Sequence, residues 1–372
     1  MKQYSIRTAI LYCIILLAQF CMADAGSSFV FRKFSAIDQL PVDEVRCMHQ
    51  DKLGFMWLGT GNGLYRYDGY HVKSYLNTQQ TPDLLSSESV SCLADDGASL
   101  WIGTKKGLNR MDLRTGFTRA YHFADFDNSD IVNRLLITSD NDLWVGTEGG
   151  LYHYDKAADR FVMYCDQLHN SKVPHSSITC LYEGRNGVLW IGTWDRGIYR
   201  YTPANGTWYE LPPFNPRHSA QAIYETASGE LWVGTWGCGL YKISNPYATS
   251  VPLQFSNFTV DNTHGGLTSN IVWNISFDSV TNFVWIGMPN GLSYIDTSFG
   301  KDVICSIPSD MEPGLNYFGQ GAGSFFCENT GAGGILRGCP TPNQNILAQR
   351  MSGKSVTFAS WQRNIPYSTT RH

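Results

Sequence analysis

Apolar and polar side chains alternate with a period of two along most of this chain, and the alternating runs are broken by Gly, Asp and Asn. Such runs predict β-strands with every second residue facing a core, and the interrupting residues supply the positive φ angles of hairpin turns. The runs recur in a fixed order. A β-branched segment such as Val45-Arg46-Cys47-Met48, Val90-Ser91-Cys92-Leu93 or Ile178-Thr179-Cys180-Leu181 comes first, followed by a polar turn such as Asp51-Lys52-Leu53-Gly54. A strand built on Trp-aliphatic-Gly-Thr follows. After a tight loop comes Gly63-Leu64-Tyr65-Arg66-Tyr67-Asp68 or its equivalent, and an aromatic strand such as His71-Val72-Lys73-Ser74-Tyr75 ends the unit. No sustained helical period interrupts the mature chain.

Trp57, Trp101, Trp144, Trp190, Trp232 and Trp285 open the six tetrads, at spacings of 44, 43, 46, 42 and 53 residues. That is the length of one four-stranded unit in a radial array. A single such sheet cannot bury both its faces, so sheets must stack around an axis, with indoles and aliphatic side chains between them and Gly where backbones approach closely. The expected fold is an all-β β-propeller of four-stranded blades, six clear blades plus a degenerate seventh after Asp296. Residues 29–34 read as an outer strand without the three that should precede it, the kind of strand that closes a ring by pairing with the last blade.

The ends set the domain limits. Lys2 and Arg7 precede an apolar run from Ile10 to Phe20, too short to span a bilayer, and Ala23-Asp24-Ala25 offers a small-x-small cleavage site, so residues 1–25 read as a secretory signal peptide. The propeller then covers residues 26–300, and residues 301–372 hold a degenerate seventh blade and an aberrant tail. From about Ser324 the composition turns to Gly, Pro, Asn, Cys and Arg without strand alternation, as expected either of a frame-disrupted or truncated copy or of a genuine disordered tail.

Net charge is −4 and no basic cluster stands out, which argues against a nucleic-acid partner. Ten cysteines in an exported chain invite a disulfide reading, but Cys13 and Cys21 leave with the signal. Cys47, Cys92 and Cys180 occupy one position in three different blades, where they read as small core hydrophobes. No CxxC pair or His/Cys cluster points to a metal, and no cofactor is expected. The histidines are scattered, and Asp68, Asp112 and Asp155 end third strands where a carboxylate caps a turn. No catalytic constellation emerges.

The informative departures lie in the loop after each tetrad. Its short form is Gly61-Asn62, Lys105-Lys106 or Glu148-Gly149. The fourth and fifth units lengthen it by one residue and begin it with Trp, in Trp194-Asp195-Arg196-Gly197 and Trp236-Gly237-Cys238-Gly239. In a propeller this loop shares a face with the connections between blades, around the mouth of the central channel. Two neighbouring indoles with Asp195 and Arg196 beside them suit a sugar, whose C–H face stacks on an aromatic ring while its hydroxyls meet charged groups. Lys105, Lys106, Glu148, His218, His264 and Asn290 are further candidates to reach inward from the same face.

The unit Val-x-x-hydrophobic, Asp-turn-Gly, Leu-Trp-Ile-Gly-Thr, x-x-Gly-Leu-Tyr-x-Tyr-Asp resembles the two-component-regulator propeller repeat, with close matches at Ser99-Leu100-Trp101-Ile102-Gly103-Thr104-Lys105-Lys106-Gly107-Leu108 and Gly266-Leu267-Thr268-Ser269-Asn270-Ile271-Val272. The resemblance covers about residues 29 to 297. It implies the periplasmic sensor region of a bacterial hybrid two-component histidine kinase, with an oligosaccharide as the cue and a homodimer formed through downstream domains. The chain itself shows no kinase phosphoacceptor motif, nucleotide-binding box or membrane span after the signal, so it reads as a non-enzymatic sensor truncated before the kinase. The rival expectations are a free-standing periplasmic protein-interaction propeller and a propeller lyase.

Overall fold

The computed structural model describes residues 28–30, 45–79, 84–125, 128–164, 177–212, 219–278, 282–297, 302–307 and 349–351. They form six four-stranded antiparallel sheets, each a meander of consecutive strands. The first blade comprises Val45–Gln50, Met56–Thr60, Gly63–Tyr67 and Val72–Tyr75. The five that follow begin at Val90, Val132, Ile178, Ala220 and Asn274. First strands of successive blades pack against one another from the first blade to the sixth, which is the propeller arrangement. The outer strand of the sixth blade is Ile304–Ser306, so this blade runs past residue 300. Near the chain ends, Ser28–Val30 pairs antiparallel with Gln349–Met351 in a two-stranded sheet. The expected signal peptide, most of the tail and the expected seventh blade lie outside the described residues.

The tetrad builds the core. All six tetrad indoles are 3% exposed or less, and the hydrophobic clusters span pairs of neighbouring blades. In one, Cys92 and Trp101 of the second blade join Val132, Leu135 and Leu143 of the third. The tetrad glycine is where adjacent sheets come closest. A Cβ on Gly59 would sit 2.6 Å from Val90, on Gly103 2.8 Å from Val132, and on Gly146 2.6 Å from Ile178, each a β-branched residue opening the next blade. Any side chain there would force the blades apart.

The tetrad threonine has a different task. Its hydroxyl is buried, donates to the carbonyl of the glycine that starts the third strand, and accepts an N–H from inside the turn. Thr60 donates to Gly63 at 3.0 Å and accepts from Asn62 at 3.0 Å, and Thr104 and Thr147 repeat the pattern. One hydroxyl thus satisfies two backbone groups that burial would otherwise leave costly.

Each of the first five blades also has a bulge in its first strand, at Arg46, Ser91, Asn133, Thr179 and Gln221. The extra residue turns a polar side chain toward the next blade. Arg46 donates to Ser89 Oγ at 2.6 Å, Ser91 to the carbonyl of Val132, and Thr179 to the carbonyl of Ala220. Cys47, Cys92 and Cys180, one step past the bulge, are free thiols buried in the core, as expected. Burial pushes the thiols of Cys92 and Cys180 up to about 12, and that of Cys47 well upward too. Turn capping by Asp68, Asp112 and Asp155 also holds, each accepting two backbone N–H groups from the residues that follow.

Candidate functional site

The loops between second and third strands share one face with the interblade connections, because their backbones are bonded together. Lys105 N donates to Ser89 O, Glu148 N to Ile131 O, Trp194 N to Ser177 O and Trp236 N to Ser219 O, at 2.9–3.4 Å. In the fourth blade the latch persists despite the added residue. Thr193 donates to Gly197 O at 3.0 Å and accepts from Arg196 N at 3.0 Å. Thr235 does the same with Gly239 and Cys238. Gly197 and Gly239 close these longer turns at φ +80°, a conformation that glycine adopts without strain.

The lengthening brings two indoles together. Trp194 is 45% exposed, Trp236 is half-buried, and their ring centroids stand 5.3 Å apart with the planes inclined at 55°. Trp236 is anchored from behind by an antiparallel bridge to Ile271, while Gly237 N and Gly239 N both donate to Asn270 O. Asp195 and Arg196, both exposed, pair at 3.7 Å beside Trp194. An inclined aromatic surface thus has a carboxylate and a guanidinium at its edge. Such a surface suits stacking and hydrogen bonding.

The other candidates are placed unevenly. Glu148 is tied to the pair through Asn133, whose amide reaches Glu148 Oε1 and Ser177 Oγ, each at 3.2 Å, and Ser177 O in turn holds Trp194 N. Asn290 lies at the far end of the same face, donating to Thr268 O at 3.5 Å in the connection that carries Asn270 and Ile271. Lys105 and Lys106 are exposed on the second blade. His264 is exposed in a tight turn at φ 51°. The adjacent Gly266 lies against Ile304 O and accepts from Ser293 Oγ, so this turn sits over the outer half of the sixth blade. His218 lies outside the described residues.

Asn133 and Asn270 were not foreseen. For Asn133 a partial signal was present: the first, second and fourth blades open on a β-branched, polar, Cys order whose second residue is the bulge, and Val132-Asn133 shares its first two positions. For Asn270 no sequence pattern distinguishes it from other loop residues.

The sequence profile of the two-component regulator propeller family matches residues 39–62 and 172–195, the second span ending on Trp194-Asp195. Two segments of the chain thus match the two-component regulator propeller repeat. A histidine kinase of Formosa agariphila, Histidine kinase P4, is 31% identical over 86 residues, which is 23% of this chain and 6% of that protein. The extracellular domain of a hybrid two-component system from B. thetaiotaomicron superposes with a TM-score of 0.62 at 21% identity, covering 77% of this chain and 38% of that one. Virginiamycin B lyase from Staphylococcus aureus superposes at 0.58 and 16% identity, covering 77% of this chain and 90% of the lyase. At these identities the solved structures establish a shared propeller fold. The chain spans well under half the length of the histidine kinase and of the extracellular domain it resembles. Among the described residues no helix is long and apolar enough to cross a membrane.

Proposed function

We propose that this propeller is the ligand-sensing region of an exported, periplasmic two-component sensor, and that its cue is an oligosaccharide held on the Trp194–Trp236 face. The observation that carries this reading is the pair of indoles 5.3 Å apart on the face that gathers the interblade connections. A sugar ring offers flat C–H surface to one indole and equatorial hydroxyls to the groups beside it, here Asp195, Arg196 and, through Asn133, Glu148.

The family profile and the kinship with a histidine kinase support the sensor role over the lyase role. In an intact sensor, binding shifts signalling only as far as ligand affinity differs between two arrangements of the receptor, with a homodimer as the unit that rearranges. Glycan-array binding by the full chain, compared with the Trp194→Ala/Trp236→Ala double variant, tests the reading. Selective glycan binding lost in the variant is the expected result; binding that persists undiminished removes the site.

A further inference from the structure

One residue breaks the pattern of the inner strands. Opposite the glycine of each tetrad, the first strand of the blade carries Cys47, Cys92, Arg134, Cys180, Ala222 or Asn274. The other five are short and buried, whereas Arg134 is half-buried. The thiols fill the narrow gap to the next blade: a Cβ added to Gly59, Gly103 or Gly192 would meet the sulfur opposite it at 2.3–2.4 Å. On Gly146 it would meet nothing of Arg134 nearer than that residue's own Cβ, at 3.6 Å. The arginine stem therefore turns out of the gap.

The guanidinium lies toward the propeller axis. Burial raises the thiols of Cys47, Cys92 and Cys180, and the charge of Arg134 opposes that rise in all three, although they belong to the first, second and fourth blades. A charge felt in three blades stands where their inner strands converge. Arg134 Nη1 donates to the carbonyl of Asn133 at 2.8 Å, which occupies only part of the guanidinium fork. Among the described residues no carboxylate pairs with it, and Glu148 at the same corner is bonded instead by the Asn133 amide at 3.2 Å. Arg46 adds positive charge on this side, since it too acts on the Cys47 thiol. A guanidinium cannot shed its proton, so partial burial leaves it in want of a charged acceptor.

We propose that Arg134 forms a binding site for a small oxyanion, a sulfate, phosphate or carboxylate group, on the axis beneath the mouth. The planar fork offers parallel N–H donors to such a group, and the short, neutral side chains at the equivalent positions leave it room. The oxyanion is either free in solution or a substituent of a sugar, and the site does not depend on the Trp194–Trp236 reading.

The test is thermal melting and calorimetric titration of the full chain with sodium sulfate and sodium phosphate against sodium chloride at matched ionic strength, and with a sulfated glucose against glucose. Expected is an oxyanion affinity about tenfold or more above the chloride or neutral-sugar control, lost in Arg134→Ala, which installs the residue that the fifth blade carries at this position. A free ion as the ligand shows in the inorganic arms and survives Trp194→Ala/Trp236→Ala. A sugar-borne group shows as a preference for the sulfated sugar that needs both Arg134 and the indoles. Absence of both preferences, or a preference that persists in Arg134→Ala, overturns the proposal. Should Arg134→Ala fail to fold, Arg134→Gln, neutral and of similar shape, takes its place, and undiminished oxyanion binding there is equally contrary.

Discussion

Blades one to three and blades four and five close their second hairpins with the same threonine, yet only the latter pair carries an aromatic ring in that loop. In the first three the hydroxyl spans two loop residues, and what the loop shows is Asn62, the two lysines or Glu148. In the fourth and fifth it spans three, and an indole emerges at the first position. The difference teaches that the scaffold and the binding surface are separable: the tetrad bears the packing, and one inserted residue beyond it alters what the mouth displays.

That separation is tested most severely in the core. Gly103→Ala in the second blade and Gly192→Ala in the fourth should each cost about 2–3 kcal/mol by overpacking, because a Cβ at either meets the neighbouring blade. Thermal melts should show similar losses for the two, and a tolerant fourth blade would mean that its interface differs from the second. Removal of both paired indoles is expected to weaken glycan affinity tenfold to a hundredfold, about 1.4–2.7 kcal/mol, while stability measured in denaturant moves by less than about 0.5 kcal/mol for Trp194→Ala, a partly exposed side chain.

Thr193→Val and Thr104→Val each delete a hydroxyl that makes two hydrogen bonds, for roughly 1–2 kcal/mol of stability; calorimetric titration should find glycan binding impaired by the first alone. Deleting Asp195 converts the fourth loop to the short form, and it should abolish glycan binding with a melting temperature close to that of the parent.

The smallest effect concerns pH. Asp95 is buried, which raises its pKa, but the His49 hydrogen bond at 2.5 Å, the charge of that imidazole and the Gly97 N–H together hold it below the usual value. A lowered folded-state pKa means that this link between the first two blades stabilises above the unfolded value near 3.9 and is lost as pH falls through the folded one. Asp95→Asn should therefore flatten the acid limb of the stability curve by under about 1 kcal/mol, leaving glycan binding at neutral pH as it was.

Much of this architecture was legible because the tetrad carries its physics openly: a Trp that must be buried, a Gly that must stay bare, and a regular spacing. The paired indoles were legible for the same reason, as insertions stand out against a strict repeat. What was hidden depends on register and on loops of unequal length. The inward polar side chains arise from a one-residue bulge that alternation alone does not locate. His264 looked like a mouth residue, but its turn folds back over the outer strands of the sixth blade.

Labelling the indole nitrogens and titrating the full chain with its array-selected oligosaccharide tests the central claim most directly. Displacement of the Trp194 and Trp236 N–H signals, with those of the six tetrad tryptophans unmoved, is the outcome required of a sugar platform built by lengthened loops. Saturable binding that leaves both of those signals in place would contradict it.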